Sequence, residues 1–287
     1  MTLLEAIILG IVEGITEYLP ISSTGHLILT KSALGLSGSA VDAFIIVVQG
    51  GAILAVLGLY RKRILQMIQG LLGKNQAGRK LLINLIIAFL PAAILGPLLD
   101  DKIGEYLFKP IPVIAALAGW GVVMILLGPW QRKIFHKKSD IDKTNAHSFI
   151  DIEHLTWRKA LIIGLLQCVA MWPGTSRSMM TIVGGMFVGM KPKHAAEFSF
   201  LLALPTLGGA CVYKGLKNVL GEGPSMFEVL GPTSFIIGTI AATIAAALSV
   251  KWLVNYLQKH GVALFGWYRI ALSVVFAILL WQEVISL

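Results

Sequence analysis

Two short stretches of the chain bring together the residue types that chemistry needs. Glu13 and Glu17 lie four apart, which places both carboxylates on one face of a helix, inside an otherwise apolar run. A buried carboxylate is costly unless it is paired, metal-bound or protonated. The pair could hold a divalent cation, or one member could serve as a base; the plainer alternative is two acids at the end of an interfacial helix. Ser22-Ser23-Thr24-Gly25-His26 follows Pro20 and reads as a helix start with a serine cap. Free N–H groups and the helix dipole make such a terminus an anion site. His26, one turn in, could act as acid, base or nucleophile, or be structural. The second stretch, Ser176-Arg177-Ser178 with Thr181, repeats the hydroxyls and adds a permanent cation whose planar fork matches phosphate oxygens. An ion pair between Arg177 and Glu13 or Glu17 is the structural alternative. Together these groups are what phosphoryl transfer asks for, since its catalysis is largely positioning and charge stabilisation.

Elements that can hold such groups follow from composition. Of 287 residues, 56% are hydrophobic and 14% charged, with a mean hydropathy of +0.79. A soluble domain carries roughly a quarter charged residues. The composition excludes a soluble globular enzyme, a disordered chain and a disulfide scaffold, leaving an all-α polytopic membrane protein. Cys168 and Cys211 lie in apolar runs and read as small hydrophobes. Met1-Thr2-Leu3-Leu4-Glu5 has no basic stretch, so no cleaved signal peptide is expected. The net charge of +9 is concentrated in Arg61–Lys80 and Arg132–Lys159, whereas Asp100–Lys109 is acidic. Lys/Arg excess in short loops marks the cytoplasmic side, so the charge is topological and no nucleic-acid partner is implied.

About six spans are predicted: Asp42–Tyr60, Leu81–Leu99, Ile111–Trp130, Ala195–Tyr213, Phe235–Leu257 and Val262–Leu280. Two further apolar segments, Leu3–Leu34 and Ala160–Met190, are each interrupted halfway by proline, glycine and hydroxyl residues. Broken backbone is tolerated at membrane depth only inside protein or beside a wet cavity, so both read as re-entrant helical hairpins rather than kinked spans. Ala6-Ile-Ile-Leu-Gly10 is echoed by Ala160-Leu-Ile-Ile-Gly164, Glu13 aligns with Gln167, and Phe44 with Phe198. Pro20-Ile-Ser-Ser23 matches Pro173-Gly-Thr-Ser176 after a one-residue slip. The chain is therefore expected to be a single integral domain with a repeat over about 1–130, a basic cytoplasmic loop over about 131–159 and a second repeat over about 160–287. A hairpin plus three spans per half forces the halves to face opposite ways, and inverted repeats with broken helices carry polar sites near the midplane. Trp120, Trp130, Trp157, Trp267 and Trp281 are expected at span ends as interface anchors. His136, His147 and His154 are expected to be solvated, and Glu197 to pair with Arg177.

Glu13-Gly-Ile-Thr-Glu17, Pro20-Ile-Ser-Ser-Thr-Gly-His26 and Pro173-Gly-Thr-Ser-Arg-Ser-Met-Met-Thr181 closely resemble the EGxTE, PxSSTGH and PGxSRSxxT motifs of the bacitracin-resistance family of undecaprenyl-diphosphate phosphatases. The resemblance covers essentially the whole chain. It implies removal of the terminal phosphate from a C55 polyprenyl diphosphate, regenerating the carrier lipid of cell-wall synthesis. It also implies a bacterial inner-membrane enzyme with a site reached from the outer side and a divalent cation, Mg2+ or Ca2+. On this reading Ser22, Thr24, Ser176, Arg177, Ser178 and Thr181 hold the diphosphate and Glu13 and Glu17 the metal. Ser23, activated by Glu17 or His26, is the nucleophile; His26 itself, or water activated by Glu17 and His26, are the other routes. A homodimer is compatible with this reading. The rival function is a polyprenyl-phosphate transporter or flippase of the same architecture.

Overall fold

The computed structural model describes residues 1–141, 149–220 and 230–283, and among these the chain is helical throughout. Thr2 and Glu5 form a reciprocal cap that starts α1, Leu3–Tyr18. After a break come α2 (Ser23–Ala33), the long apolar α3 (Ser39–Leu59) and α4 (Arg61–Leu71). Next are α5 (Gln76–Lys102), which ends in a π-helical turn, and α6 (Pro110–Ile141). The second half runs through α7 (Trp157–Val169), a second break, α8 (Arg177–Phe187), α9 (Pro192–Leu220), α10 (Pro232–His260) and α11 (Ala263–Trp281).

Among the described residues six helices are long and apolar enough to cross a membrane: Ser39–Leu59, Gln76–Leu107, Pro110–Pro129, Pro192–Tyr213, Pro232–His260 and Ala263–Trp281. They match the six spans expected from sequence within a few residues at most ends. Gln76–Leu107 overshoots its expected end because the helix winds on through the acidic Asp100-Asp101-Lys102 segment. The basic stretch after the first span is not a loop. Ile64, Leu65, Ile68 and Leu71 recur at helical spacing and build α4, which folds back against α5. Likewise α6 continues well into the basic segment after Trp130, and His147 falls outside the described residues. His154 is exposed, as expected. Trp157, Trp267 and Trp281 are exposed near helix ends. Trp120 is not at an end: it lies halfway along Pro110–Pro129 and packs on the core beside Met179 and Met180.

Small residues let the helices approach closely. A Cβ on Gly10 or Gly14 of α1 would meet the backbone of Gly238 or Ala242 on α10, and one on Gly51 of α3 would meet Thr239. Without a hydrophobic drive between helices in lipid, such small-residue contacts carry association. The main core gathers Tyr18, Met179, Phe198 and Phe200 directly against the two breaks.

The two helix–break–helix units superimpose in sequence at a constant offset of 154 residues. Ser23–Ala33 and Arg177–Phe187 are both helices of 11 residues, and the residues before them, Ser22 and Ser176, share one unusual backbone conformation. Their φ, ψ values are 72°, 99° and 77°, 112°. The alignment with a one-residue slip is therefore corrected: Ser22 corresponds to Ser176 and Ser23 to Arg177. The prolines are out of register because α7 stops earlier relative to its break than α1 does.

Candidate active site

α1 ends just before Pro20 and α7 four residues before Pro173, and both breaks leave main-chain groups that must find partners inside the protein. They find them in each other's neighbourhood. The Ser178 hydroxyl of the second unit donates to the Leu19 carbonyl of the first at 2.9 Å. Gly174, at φ 95°, packs where a Cβ would meet the Val113 carbonyl at 2.6 Å. The two breaks thus meet at one place, bringing residues 160 positions apart in sequence into contact.

At that place the Glu17 carboxylate is shared. Its Oε1 accepts from the Arg177 guanidinium at 2.9 Å and its Oε2 accepts from the Ser23 hydroxyl at 2.7 Å. Side-chain exposures of 6% and 12% for Glu17 and Arg177 make this a largely desolvated pair, one in which removing a single partner strands a charge. A second Arg177 nitrogen donates to the Ser199 carbonyl at 3.0 Å, and the guanidinium lies 5.8 Å from the centre of the Tyr18 ring. Tyr18 is itself held by a 2.8 Å hydrogen bond to the Ala52 carbonyl. Arg177 Nε has no partner among the described residues, so one donor of the fork remains available.

The hydroxyls of the second unit divide into two kinds. Ser176 caps α8 through the Met179 N–H at 3.3 Å and contacts Ser178 Oγ at 3.1 Å. Thr181 is fully buried, and its hydroxyl bonds the Arg177 and Ser178 carbonyls and, at 2.5 Å, Ser199 Oγ. Ser178 and Thr181 therefore fix α8 against the first break and α9. In the first unit Ser22 occupies the cap position, but its side chain makes no cap bond. The expected serine cap is absent there, although Ser176 in the same backbone conformation caps α8. Thr24 is half-buried on the first turn of α2.

His26 is held at both ring nitrogens, by the Ser22 carbonyl at 2.8 Å on Nδ1 and the Tyr268 hydroxyl at 2.7 Å on Nε2. Glu13 is buried beside this centre, one turn before Glu17, and neither of its oxygens has a partner among the described residues. The expected Glu197–Arg177 pair does not form. Glu197 accepts from Arg63 at 2.8 Å, and Arg63 also reaches Glu153 at 2.7 Å, a network at the start of α4 away from Arg177.

Sequence reasoning missed Tyr18, Tyr268 and Arg269. Arg269 is fully buried and donates to main-chain carbonyls of both breaks. Its signal was present: a lone arginine in the apolar run of the last span is a functional candidate by default.

Known proteins place this arrangement. The chain matches the family described as Bacitracin resistance protein BacA over residues 6–275. It is 43% identical over 274 residues to the undecaprenyl-diphosphatase of Pseudomonas syringae pv. tomato, covering 96% of this chain and 92% of that one. To undecaprenyl-diphosphatase 1 of Stutzerimonas stutzeri it is 43% identical over 272 residues, covering 95% and 92%. To the undecaprenyl-diphosphatase of Pseudomonas fluorescens it is 44% identical over 274 residues, covering 96% and 92%. With both broken helices and all three motif segments inside the matched region, the chain belongs to the bacitracin resistance protein BacA family.

Proposed function

We propose that this protein hydrolyses undecaprenyl diphosphate to undecaprenyl phosphate and inorganic phosphate, recycling the lipid carrier of peptidoglycan synthesis and conferring bacitracin resistance. The observation that carries the reading is the single carboxylate of Glu17, which holds both a serine hydroxyl and an arginine with a free donor. The relatives' names favour a phosphatase over a transporter of the same architecture.

In this mechanism Arg177 and the main-chain N–H groups at the start of α8 bind the diphosphate, with Ser176 beside them. Ser22 and Thr24 line the opposite side. Ser23 Oγ attacks the terminal phosphorus while Glu17 takes its proton. The bond from that phosphorus to the bridging oxygen breaks, and Glu17 hands the proton to the departing undecaprenyl phosphate. Water then attacks the phosphoserine; Glu17 accepts a water proton and returns one to Ser23 as inorganic phosphate leaves. The partners of His26 argue against its being the nucleophile, because both ring nitrogens are engaged away from Glu17.

A divalent cation, Mg2+ or Ca2+, fits the unpartnered carboxylate of Glu13, with Glu17 next to it on the same helix face. Among the described residues no third His, Cys, Asp or Glu joins a metal-binding group, so phosphate oxygens and water would complete the shell. Such an ion supplies charge neutralisation on the diphosphate.

The breaks read as tips of two re-entrant hairpins entering from opposite leaflets, within one inverted-repeat domain of the bacterial inner membrane. The basic Arg61–Lys80 segment would face the cytoplasm and the site the outer side. An apolar groove of about 610 Å³ between α1 and α10 includes Leu19, a residue of the first break, in its lining. Its lining of Ile11, Ile15, Ile244, Leu248 and Trp252 suits part of the polyprenyl tail.

Purified protein in detergent, where no second compartment exists, tests the reaction. Release of inorganic phosphate from undecaprenyl diphosphate supports the phosphatase. Binding of the lipid without release would overturn it in favour of transport.

A further inference from the structure

Two consecutive residues of α11 hold parts of the site that the reaction needs fixed but does not consume. Arg269 is 0% exposed and has no carboxylate partner in its shell. One terminal nitrogen donates to Thr175 O at 3.0 Å and Pro20 O at 3.4 Å; the other donates to Gly174 O at 2.6 Å and Ala116 O at 3.2 Å. A buried cation is expensive, and here it donates to the Pro20, Gly174 and Thr175 carbonyls of the two breaks and to the Ala116 and Leu117 carbonyls of α6. Only a guanidinium, with five N–H donors in a rigid fork, can serve so many acceptors at once.

Tyr268, next along the helix, reaches His26. The Ser22 carbonyl can only accept, which puts the imidazole proton on Nδ1 and leaves the lone pair on Nε2. The Tyr268 hydroxyl therefore donates to Nε2, and its ring lies parallel to the imidazole, with an interplanar angle of 1° and centroids 5.6 Å apart. Tyr268 is 44% exposed, so its hydroxyl is not there to satisfy a buried core.

We propose that Tyr268 and Arg269 are a positioning pair of the active site, Arg269 docking the two broken segments against each other and Tyr268 fixing the orientation and tautomer of His26, whose Nδ1–H in turn holds the Ser22 carbonyl beside the nucleophile Ser23. The proposal rests on the phosphatase reading. Neither residue touches the diphosphate; each acts through another group. The pair would explain how a helix from the far end of the chain sets the geometry of a site whose motifs lie elsewhere.

The test compares wild type, Tyr268→Phe and Arg269→Lys in detergent, measuring kcat, KM, melting temperature and the ring-nitrogen NMR shifts of His26 in 15N-histidine-labelled protein. Tyr268→Phe keeps the ring and loses only the hydroxyl. Its kcat should fall about tenfold, with KM and melting temperature unchanged and the His26 nitrogen shifts moved towards mixed tautomers. Unchanged kcat, or a lower kcat with His26 shifts as in wild type, overturns the role of Tyr268. Arg269→Lys keeps charge but cannot span both breaks, so kcat should drop at least 100-fold in folded protein. Near-normal turnover overturns its role, and an unfolded variant makes Arg269 part of the fold rather than of the site. A wild type that releases no phosphate would instead remove the phosphatase reading itself.

Discussion

Among single residues, Glu17 joins the two halves of the site because it serves two partners at once. Glu17→Gln retains the shape and an acceptor for Arg177 but loses the base. Turnover should vanish in a variant that still folds and elutes as wild type does but melts lower, because the Arg177 charge is left unpaired; retained turnover in such a destabilised protein would mark the Glu17–Arg177 contact as structural packing. Ser23 is the group whose covalent role is open to direct observation. Rapid quenching with substrate labelled in its terminal phosphate should leave label on Ser23, and a quench that finds none on Ser23 or His26 sends the reaction through water. Glu13, buried without a partner among the described residues, is the residue proposed to hold the cation. Chelation should abolish activity, and Glu13→Gln should raise the Mg2+ or Ca2+ concentration needed for half-maximal rate. An unchanged cation requirement in that variant would move the ion elsewhere. Most of these groups were legible from spacing alone, since Glu13/Glu17 and Ser-Arg-Ser stand out in apolar runs. Tyr18 and Tyr268 were not, because an aromatic in such a run looks like ordinary packing until its hydroxyl is seen to have a partner.

At the scale of elements, the two breaks are built alike. Ser22 and Ser176 both sit at positive φ, a conformation that costs a non-glycine residue about 1–3 kcal/mol and persists where the surroundings demand it. The Ser22 hydroxyl makes no cap bond, so strain can be separated from capping there. Ser22→Gly should melt higher than Ser22→Ala, since both lose the hydroxyl and only glycine tolerates that backbone. Equal melting temperatures would show that the conformation is not strained in the folded protein. The helices themselves were readable because long apolar stretches leave little choice. The offset was not, because matching the prolines forced a slip that the backbone shows to lie inside the break. Nor does α4 stand out: its basic residues carry a topological signal that masks an apolar spacing in the same eleven positions.

For the molecule as a whole, the helices bring two distant segments to one centre, and the charge pattern would orient them in a membrane. If Arg61–Lys80 faces the cytoplasm, a cysteine at exposed Lys74 should react with an impermeant maleimide only after the membrane is opened. Labelling of intact spheroplasts would reverse the orientation and with it the outward-facing site. The number of spans and the basic segments were plain in the sequence, since the bilayer fixes length and Lys/Arg bias. That the breaks touch was an inference from the repeat, and what docks them, Arg269, lies outside every motif.

The central claim is that Arg177 and Glu17, from opposite halves of the chain, form one phosphate-handling site. Phosphate release from undecaprenyl diphosphate, measured side by side for wild type and Arg177→Lys in detergent, tests it most directly. Lysine keeps the charge but lacks the planar fork. Turnover should fall at least about 100-fold, a barrier increase of about 2.7 kcal/mol, in a variant that folds normally. A folded Arg177→Lys protein that turns over at the wild-type rate would contradict it.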